Sequence, residues 1–457
     1  MESIKEIKSV KKAPKPNGIS VTLCLIVKNE SHIIKECMES MLPYIDRYDI
    51  TDTGSTDGTP DLIKDFMDEH GVPGEVYLSD WKGFGKSRTE ALQRCDDKAD
   101  YIWMIDADDK ITGDFQYPPV MDADGYSLRL GRPDFSWFRN QIFKTGVDWQ
   151  YVGVLHEYAE CKSKPVEQTR IVKWGEDDGA GNYFVEARTL GARNVGIDPK
   201  EKYSKDAEVL LDALTNKESE YYDPNNVRYQ FYLAQSYFDS QQWDKAEEGY
   251  KKRIEMGGWE EEVWFAYFRI AIVKAIKEES WLDVKQAYLD AWEYRPHRAE
   301  PLYEIARVLR MMEKPKQAYI YAKMGAGIEY PHQDILFIGK DIYDWKMLDE
   351  FGSVAFYTND FMNGLGACQK LVAESKFPAG ETERISKNLA AYENQVKAIK
   401  QRNDHIQQQQ RAYMEQQKQK EIIEKKARAA EEKKARATEP KKSTKTQSPK
   451  KAKKKRK

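Results

Sequence analysis

Cysteine is scarce in this sequence, and its spacing argues against a disulfide framework and against a structural zinc site. The 457 residues include five cysteines, an odd number, and no two of them form a Cys-x-x-Cys pair. Small secreted domains use paired cysteines as a disulfide framework, and structural zinc sites use closely spaced ones. The pattern argues against both and favours a reducing compartment, so we expect a cytoplasmic protein.

Long apolar runs are also missing. No stretch approaches the roughly 18 apolar residues that a membrane-spanning helix needs, and residues 1–18 are polar and rich in lysine, unlike a secretory signal. Any contact with a membrane surface would then be peripheral. A P-loop is missing too, because Gly85-Lys86-Ser87 follows Asp80 where that motif requires glycine.

Charge is unevenly distributed along the chain. The net charge is -3, but residues 417–457 carry 18 lysines and arginines against five glutamates. The other 416 residues are acidic, with a charge of -16. We therefore expect an acidic folded body followed by a basic tail that is suited to contact anionic surfaces.

The first part of the chain alternates short apolar runs with helical patterns. Strands are predicted at Val21–Val27, at 47–50, at 75–78 and from Tyr101, with a helix after each of the first three. Such alternation indicates an α/β domain with a doubly wound, mostly parallel sheet. Two further strands, at 125–130 and 140–143, are expected to carry the acceptor half of this domain.

The strand that begins at Tyr101 ends in three carboxylates, Asp106, Asp108 and Asp109. The carboxyl ends of parallel strands open into the crevice where α/β proteins bind ligands. Mg²⁺ takes oxygen ligands and is held by one or two carboxylates together with phosphate oxygens. The triplet therefore predicts a divalent cation site, with a solvated acidic turn as the alternative.

Four segments follow one another in this region: 27–30 (Val-Lys-Asn-Glu), 52–59 (Asp-Thr-Gly-Ser-Thr-Asp-Gly-Thr), 85–88 (Gly-Lys-Ser-Arg) and 105–109 (Ile-Asp-Ala-Asp-Asp). In order and spacing they resemble the nucleotide-sugar half of family 2 glycosyltransferases of the GT-A fold. The resemblance covers about residues 21–161. It implies a hexosyltransferase-type enzyme that uses a nucleotide-sugar, with UDP-sugar as the expected donor, together with Mn²⁺ or Mg²⁺, in an inverting single displacement.

The resemblance also implies roles for single residues. Those that would bind the donor are Val27, Asn29, Glu30, Asp52, Arg88 and Asp106. Within this set, Asp52 would contact the uracil base and Arg88 the diphosphate. Asp108 would bind the metal directly, while Asp106 would contact the ribose or the metal through water.

A later segment, 149–158, resembles a Trp-x-x-x-Gly-x-x-His-Glu segment that closes the site in this family. Adjacent residues on a strand point to opposite faces, so His156 and Glu157 should differ in role. We expect His156 to contact the metal or the diphosphate, and Glu157 to act as general base towards the acceptor. Asp148 and Asp134 are rival bases, and a structural histidine beside an ion-paired glutamate is the alternative.

From residue 199 the hydrophobic period becomes helical and stays so. Pro296 and Pro331 lie 35 residues apart, close to the roughly 34-residue period of tetratricopeptide repeats. This region looks like the helical repeat domain that follows the catalytic domain in some family 2 members. Stacked helix pairs offer an extended surface, so we expect it to support a homodimer or to hold the acceptor. The glycine-rich interval 173–198 before it is either a loop beside the site or an interdomain linker.

Two function classes remain. The first is a metal-dependent glycosyltransferase that passes a sugar to a glycan, lipid-linked or protein acceptor. The alternative is a repeat-based binding or assembly protein with an inactive GT-A domain. The expected segments are a flexible leader (1–18), a GT-A catalytic domain (19–197), a tetratricopeptide-like domain (198–376), a charged helix (377–440) and a disordered basic tail (441–457).

Overall fold

The computed structural model describes residues 7–132, 134–175, 178–193 and 196–438. A first compact unit extends to Asn388, and a second begins at Leu389. The expected basic tail, 441–457, lies outside the described residues. None of the described helices is both long enough and apolar enough to cross a membrane.

The strands of the described residues all lie before residue 187. They are β1 Val21–Val27, β2 Arg47–Asp52, β3 Gly74–Leu78, β4 Tyr101–Met104, β5 Lys110–Gly113, β6 Gly125–Arg132, β7 Phe135–Lys144, β8 Trp149–Val152, β9 Tyr158–Cys161, β10 Ile171–Trp174 and β11 Tyr183–Glu186. Three helices lie among them: α1 Ile34–Met41, α2 Thr59–Glu69 and α3 Phe84–Cys95.

One large sheet forms the core of this part. Its order is β3-β2-β1-β4-β7-β6-β11-β5, and β10 pairs with β6. Strands β1 to β4 are parallel, whereas β7 runs antiparallel to both β4 and β6. The predicted α/β fold with a doubly wound, mostly parallel sheet is therefore confirmed, with an antiparallel portion added beyond β4.

Both faces of the sheet are covered, which explains the nearly unbroken apolar run of β1. Val21, Leu23 and Leu25 pack in the cluster that includes α1 and α2. Cys24 and Ile102 pack on the other side, with α3, β8 and β9. The glycine-rich interval 173–198 is not only a loop, since it contains β11 and the end of β10.

Parallel pairing brings the ends of three strands together. In β1 and β2 Val27 lies opposite Asp52, and in β1 and β4 Cys24 lies opposite Met104. The segments that follow these strands therefore leave the sheet at the same edge, here called the carboxyl edge.

Helices make up the chain from Pro199 onward. They are α4 Pro199–Thr215, α5 Val227–Asp239, α6 Trp243–Met256, α7 Glu260–Ile276, α8 Trp281–Tyr294, α9 Glu300–Met311, α10 Pro315–Ala326, α11 Met347–Ala355, α12 Phe361–Glu374 and α13 Thr382–Thr438. From α4 to α12 each helix packs against the next, so the predicted helical region after the sheet is confirmed. In α13 every residue from 397 to 437 is exposed.

The helical region is joined to the sheet by the segment 335–338. Ile338 forms a backbone bridge with Ser136 of β7, and the Phe138 N–H donates to the Ile335 carbonyl at 2.8 Å. The Phe337 ring lies 5.4 Å from that of Phe135 and 4.8 Å from that of Phe265 in α7. Sheet and helices are thus joined at β7 by backbone hydrogen bonds and by ring contacts.

Candidate active site

The loops after β1 and β2 are bound to each other. Asn29 adopts a left-handed backbone (φ 59°), which asparagine tolerates better than most residues, and its side-chain oxygen accepts from the Thr56 N–H at 2.7 Å. The N–H of Glu30 donates to the Thr59 hydroxyl at 2.9 Å. The structure therefore brings Asn29 and Glu30 together with the loop that follows Asp52.

Asp52 is buried at the start of that loop, with 1% of its surface exposed. Its carboxylate accepts from the N–H groups of Gly54 and Ser55, at 3.2 and 3.0 Å, and from the Ser55 hydroxyl. These contacts fix the turn in which Gly54 has φ 102°. Val27, opposite Asp52, buries its side chain in the hydrophobic core. The uracil contact of Asp52 and the pocket-lining role of Val27 stay predictions.

Asp106 lies between two arginines. Arg88 of α3 donates to one carboxylate oxygen, and both terminal nitrogens of Arg139 donate to the other at 3.1 Å. Burial would raise the pKa of Asp106, but the two guanidinium groups outweigh it and hold that pKa well below its usual range. Asp106 is therefore ionised in this arrangement, with its charge balanced by protein cations.

Asp108 faces a different neighbour, the segment 187–193. Its Oδ2 accepts from the N–H groups of Leu190 and Gly191, at 3.1 and 2.9 Å, and the adjacent Ala192 N–H donates to the Glu30 carboxylate at 3.1 Å. Burial raises the pKa of Asp108, and the charge of Asp106 adds to this effect. The segment 187–193 therefore covers two carboxylates that the sequence assigns to donor or metal binding.

The third aspartate is more deeply enclosed. Only 4% of Asp109 is exposed, and its Oδ2 lies 3.6 Å from Arg139. Burial raises the pKa of Asp109 well above its usual value, and Asp106 reinforces the shift. Asp109 is therefore less suited than Asp108 to meet a ligand as a carboxylate.

Glu157 completes the set around Arg88. Its side chain is 5% exposed and forms an ion pair with Arg88, which also pairs with Asp106. The guanidinium also lies near the ring of Tyr151, 5.7 Å from its centroid. The structure thus brings Arg88, Asp106 and Glu157 together around one guanidinium group.

His156 points towards the helical region. Its ring stacks on Tyr232 of α5, with centroids 3.9 Å apart and an interplanar angle of 9°. The surrounding protein lowers the pKa of His156, and the positive charge of Arg228 adds to this effect. The imidazole is therefore neutral near pH 7, the form that can bind a metal ion.

Asp148 lies elsewhere. It is exposed and precedes β8, next to Lys144, whose carbonyl accepts from the Trp149 indole at 3.2 Å. Lys144 pairs with Tyr101 at the start of β4, which is the opposite edge of the sheet from Asp106. The structure does not bring Asp148 together with Glu157 or the aspartate triplet.

A metal ion fits these residues only in part. Within the described part of the chain, no three histidine, cysteine, aspartate or glutamate side chains form a ligand group. Both oxygens of Asp106 are held by arginines. Asp108 accepts from backbone N–H groups instead, which a cation could replace without breaking an ion pair. Asp108 is therefore the residue of the triplet that best fits a metal shared with a diphosphate.

Two residues near the site were not foreseen from the sequence. Arg139 lies in β7, one residue before the predicted strand at 140–143, and it contacts Asp106 and Asp109. Burial raises the pKa of Tyr151 to about 12, although Arg88 and Arg139 oppose the shift. No local pattern marks Arg139, because β7 also carries the polar residues Ser136, Asn140 and Gln141.

Known proteins resemble two parts of this chain. The profile of the family described as Glycosyl transferase family 2 matches residues 22–124. The lipopolysaccharide core biosynthesis glycosyltransferase LpsC of Rhizobium meliloti is 32% identical over 87 residues, 19% of this chain and 31% of the relative. A TPR repeat-containing protein of Synechococcus elongatus is 28% identical over 92 residues, 20% of this chain and 21% of the relative.

Solved structures give weaker likenesses. Staphylococcus aureus TarS, crystallised with UDP-GlcNAc, has a TM-score of 0.29 at 14% identity, over 53% of this chain and 83% of that one. YrrB, described as a TPR protein with an unusual peptide-binding site, has a TM-score of 0.31 at 15% identity, over 42% and 85%. Likenesses of this size establish neither fold nor function.

The curated relatives are matched over short stretches. This chain spans 21% of the length of the Synechococcus protein and 31% of LpsC. The profile match contains Asp52, Arg88 and the aspartate triplet, and within this set Arg88 contacts Asp106. Residues 22–124 therefore form a glycosyl transferase family 2 domain, followed in this chain by a helical region that resembles tetratricopeptide repeat proteins.

Proposed function

We propose that this protein is an active, metal-dependent glycosyltransferase of the hexosyltransferase type. It moves a sugar from a nucleoside-diphosphate donor, a UDP-sugar, to a glycan, lipid-linked or protein acceptor, with inversion. The observation that carries the proposal is the convergence of Asp106 and Glu157 on Arg88. The arrangement supports a site in which the donor's leaving group, near Asp106, and the acceptor, near Glu157, lie on either side of Arg88.

The donor lies along the carboxyl edge in this proposal. Asn29, Glu30 and the loop held by Asp52 surround the nucleoside, and Asp106 contacts the ribose. Arg88 approaches the diphosphate, and Arg139 places a second positive charge beside it. Preorganised cations of this kind stabilise the charge that develops on a leaving group.

A divalent cation, Mn²⁺ or Mg²⁺, bound by Asp108 would neutralise charge on the departing diphosphate. Leu190 and Gly191 must release the Asp108 carboxylate for this to happen. The neutral imidazole of His156 is available to the metal or to the diphosphate.

Glu157 acts as the general base in this proposal. A carboxylate held within hydrogen-bond reach of the acceptor hydroxyl removes its proton as the new bond to the sugar forms. Its ion pair with Arg88 fixes the carboxylate beside the donor side of the site. The acceptor class stays open, and the name of LpsC agrees with a glycan or lipid-linked acceptor.

The proposal is tested by incubating the full chain with a panel of nucleotide sugars, with and without Mn²⁺, and measuring nucleotide release. We expect release from one UDP-sugar that depends on the metal. Absence of both turnover and metal-dependent nucleotide binding would favour the repeat-based binding protein with an inactive GT-A domain.

A further inference from the structure

The segment 153–158, which carries His156 and Glu157, is held from two directions. On one side lies α3, whose Arg88 pairs with Glu157; just before the segment, the Tyr151 N–H donates to the Thr89 hydroxyl of the same helix at 2.8 Å. On the other side lies α5, the second helix of the helical region. The helical region therefore reaches a segment to which we assign catalytic chemistry.

Arg228 of α5 contacts the backbone of this segment. Its Nε and Nη2 both donate to the His156 carbonyl, at 3.1 and 2.9 Å. The guanidinium also lies over the rings of Tyr158 and Tyr232, 5.0 and 4.9 Å from their centroids. Glu262 of α7 lies 3.6 Å from its Nη1. These contacts fix the guanidinium, so two directed hydrogen bonds meet one carbonyl.

Tyr232 contacts the side chain of the same residue. The phenol is buried, with 8% of Tyr232 exposed, and it stacks flat on the His156 ring. His156 has φ 52°, a left-handed conformation that is uncommon for residues other than glycine, although histidine tolerates it better than most. Arg228 on the carbonyl and Tyr232 on the ring restrain His156 in this conformation.

We propose that Arg228 and Tyr232 are positioning residues of the transfer reaction: they hold His156 in its left-handed conformation and so direct Glu157 towards Arg88 and Asp106. This inference rests on the proposed function. It makes the helical region part of the active site as well as a surface for partners.

Docking of the two regions does not depend on this contact alone. The segment 335–338 joins β7 separately, and the Glu261 carboxylate accepts from the N–H groups of Ile335 and Leu336 at 2.7 Å. Loss of the Tyr232 ring should therefore disturb the segment 153–158 without separating the regions. A positioning role can thus be distinguished from a merely structural one.

The test uses the full chain with Tyr232→Leu and Arg228→Gln. Two variants serve as controls. Tyr232→Phe keeps the stacked ring, and Tyr319→Leu removes a different tyrosine of the helical region, whose hydroxyl donates to Asp360. We measure kcat, the donor KM, the melting temperature and amide hydrogen exchange of residues 153–158. A misplaced catalytic group lowers turnover by as much as about 100-fold.

We expect Tyr232→Leu and Arg228→Gln to lower kcat at least tenfold, to leave the donor KM within about twofold and to speed exchange in 153–158. Tyr232→Phe should restore turnover, and Tyr319→Leu should match the wild type. If Tyr232→Leu does not fold, the positioning role is judged from Arg228→Gln, because Arg228 is partly exposed and its substitution should be tolerated.

Unchanged kcat in an active protein, with or without faster exchange, would overturn the positioning role and leave the proposed function standing. Equal losses of kcat in Tyr319→Leu would also overturn it, because the effect would then be general. A wild type inactive with every donor would overturn the proposed function itself, and this inference with it.

Discussion

At the scale of single residues, the site depends on how charge is distributed around Arg88. That guanidinium pairs with Asp106 on one side and Glu157 on the other, while Arg139 supplies a second cation to Asp106. These ion pairs bring Asp106 and Glu157 to one guanidinium group, whereas Asp108 has no ion pair with either arginine among the described contacts. Asp106 is held ionised, whereas Asp108 and Asp109 have raised pKa values.

Glu157→Gln tests the assignment of the base. The amide keeps the shape of the side chain but cannot accept a proton, so we expect kcat to fall by about 10²- to 10⁴-fold with little change in donor affinity. Glu160→Gln, in the same hairpin, is the matched control. Full activity of Glu157→Gln would exclude Glu157 as the base and leave Asp134 as the rival, since Asp148 lies at the other edge of the sheet.

Asp106→Asn tests the electrostatics of the site through stability. The folded pKa of Asp106 is lowered, so its ionised form stabilises the protein above the unfolded value of about 3.9, and this stabilisation is lost as the pH falls through the folded pKa. We expect the variant to unfold more easily at pH 7 by about 2 kcal/mol.

The check on Asp106→Asn is urea unfolding of both proteins at pH 7 and at the lowest pH at which each still folds. The difference between them should shrink as the pH falls below about 3.9. A difference that stays constant or grows on acidification would contradict the ion pairs with Arg88 and Arg139.

At the scale of elements, local patterns predicted the first half of the sheet well. β1 has the predicted bounds, and β2, β3 and β4 begin within one residue of theirs, because each is a short apolar run between turn residues. The start of β7 was missed by five residues, since Phe135 to Arg139 is stabilised partly by the segment 335–338. Pairing between segments about 200 residues apart cannot be predicted from the local sequence pattern of either segment.

In the site, too, features set by local sequence could be predicted, whereas those set by long-range packing could not. Asp106 and the loop after Asp52 lie at the same edge because β1, β2 and β4 are parallel, and the sequence pattern could predict this. Arg139, Arg228 and Tyr232 could not be foreseen in this way, because their positions depend on long-range packing. Asp148 was predicted as a rival base, but it precedes β8 at the other edge of the sheet.

Gly191→Ala tests the segment 187–193 that covers Asp108 and Glu30. A Cβ at this position would lie 3.2 Å from an Asp108 oxygen and 3.3 Å from a Glu30 oxygen, so the two carboxylates or the segment must move apart by a few tenths of an ångström. We expect faster amide exchange at residues 190–192 by mass spectrometry. Gly366→Ala, whose Cβ meets nothing within 4 Å, is the control, and unchanged exchange in Gly191→Ala would contradict the contact.

At the scale of the whole molecule, sheet and helices form one unit to Asn388, so catalytic and repeat regions need not act as separate modules. We keep 19–197 and 198–376 as proposed domains. A homodimer through the helices remains a proposal.

Truncation after Lys400 tests the charged end of the chain. It removes described residues that are all exposed, 401–437, and the basic stretch that begins at 417. We expect an unchanged melting temperature and donor affinity, but weaker, salt-sensitive retention on anionic vesicles. A clear fall in melting temperature would show that the removed helix stabilises the fold, and equal retention would exclude the tail as the contact.

Metal-dependent donor binding is tested most directly by calorimetric titration of UDP into the full chain, with and without Mn²⁺. The titration compares the wild type with Asp108→Ala. We expect Mn²⁺ to strengthen UDP binding to the wild type, and Asp108→Ala to abolish this gain while its circular dichroism spectrum is unchanged. The proposed cation site would be contradicted if the wild type bound UDP with the same affinity with and without Mn²⁺, or if Mn²⁺ raised the affinity of Asp108→Ala equally.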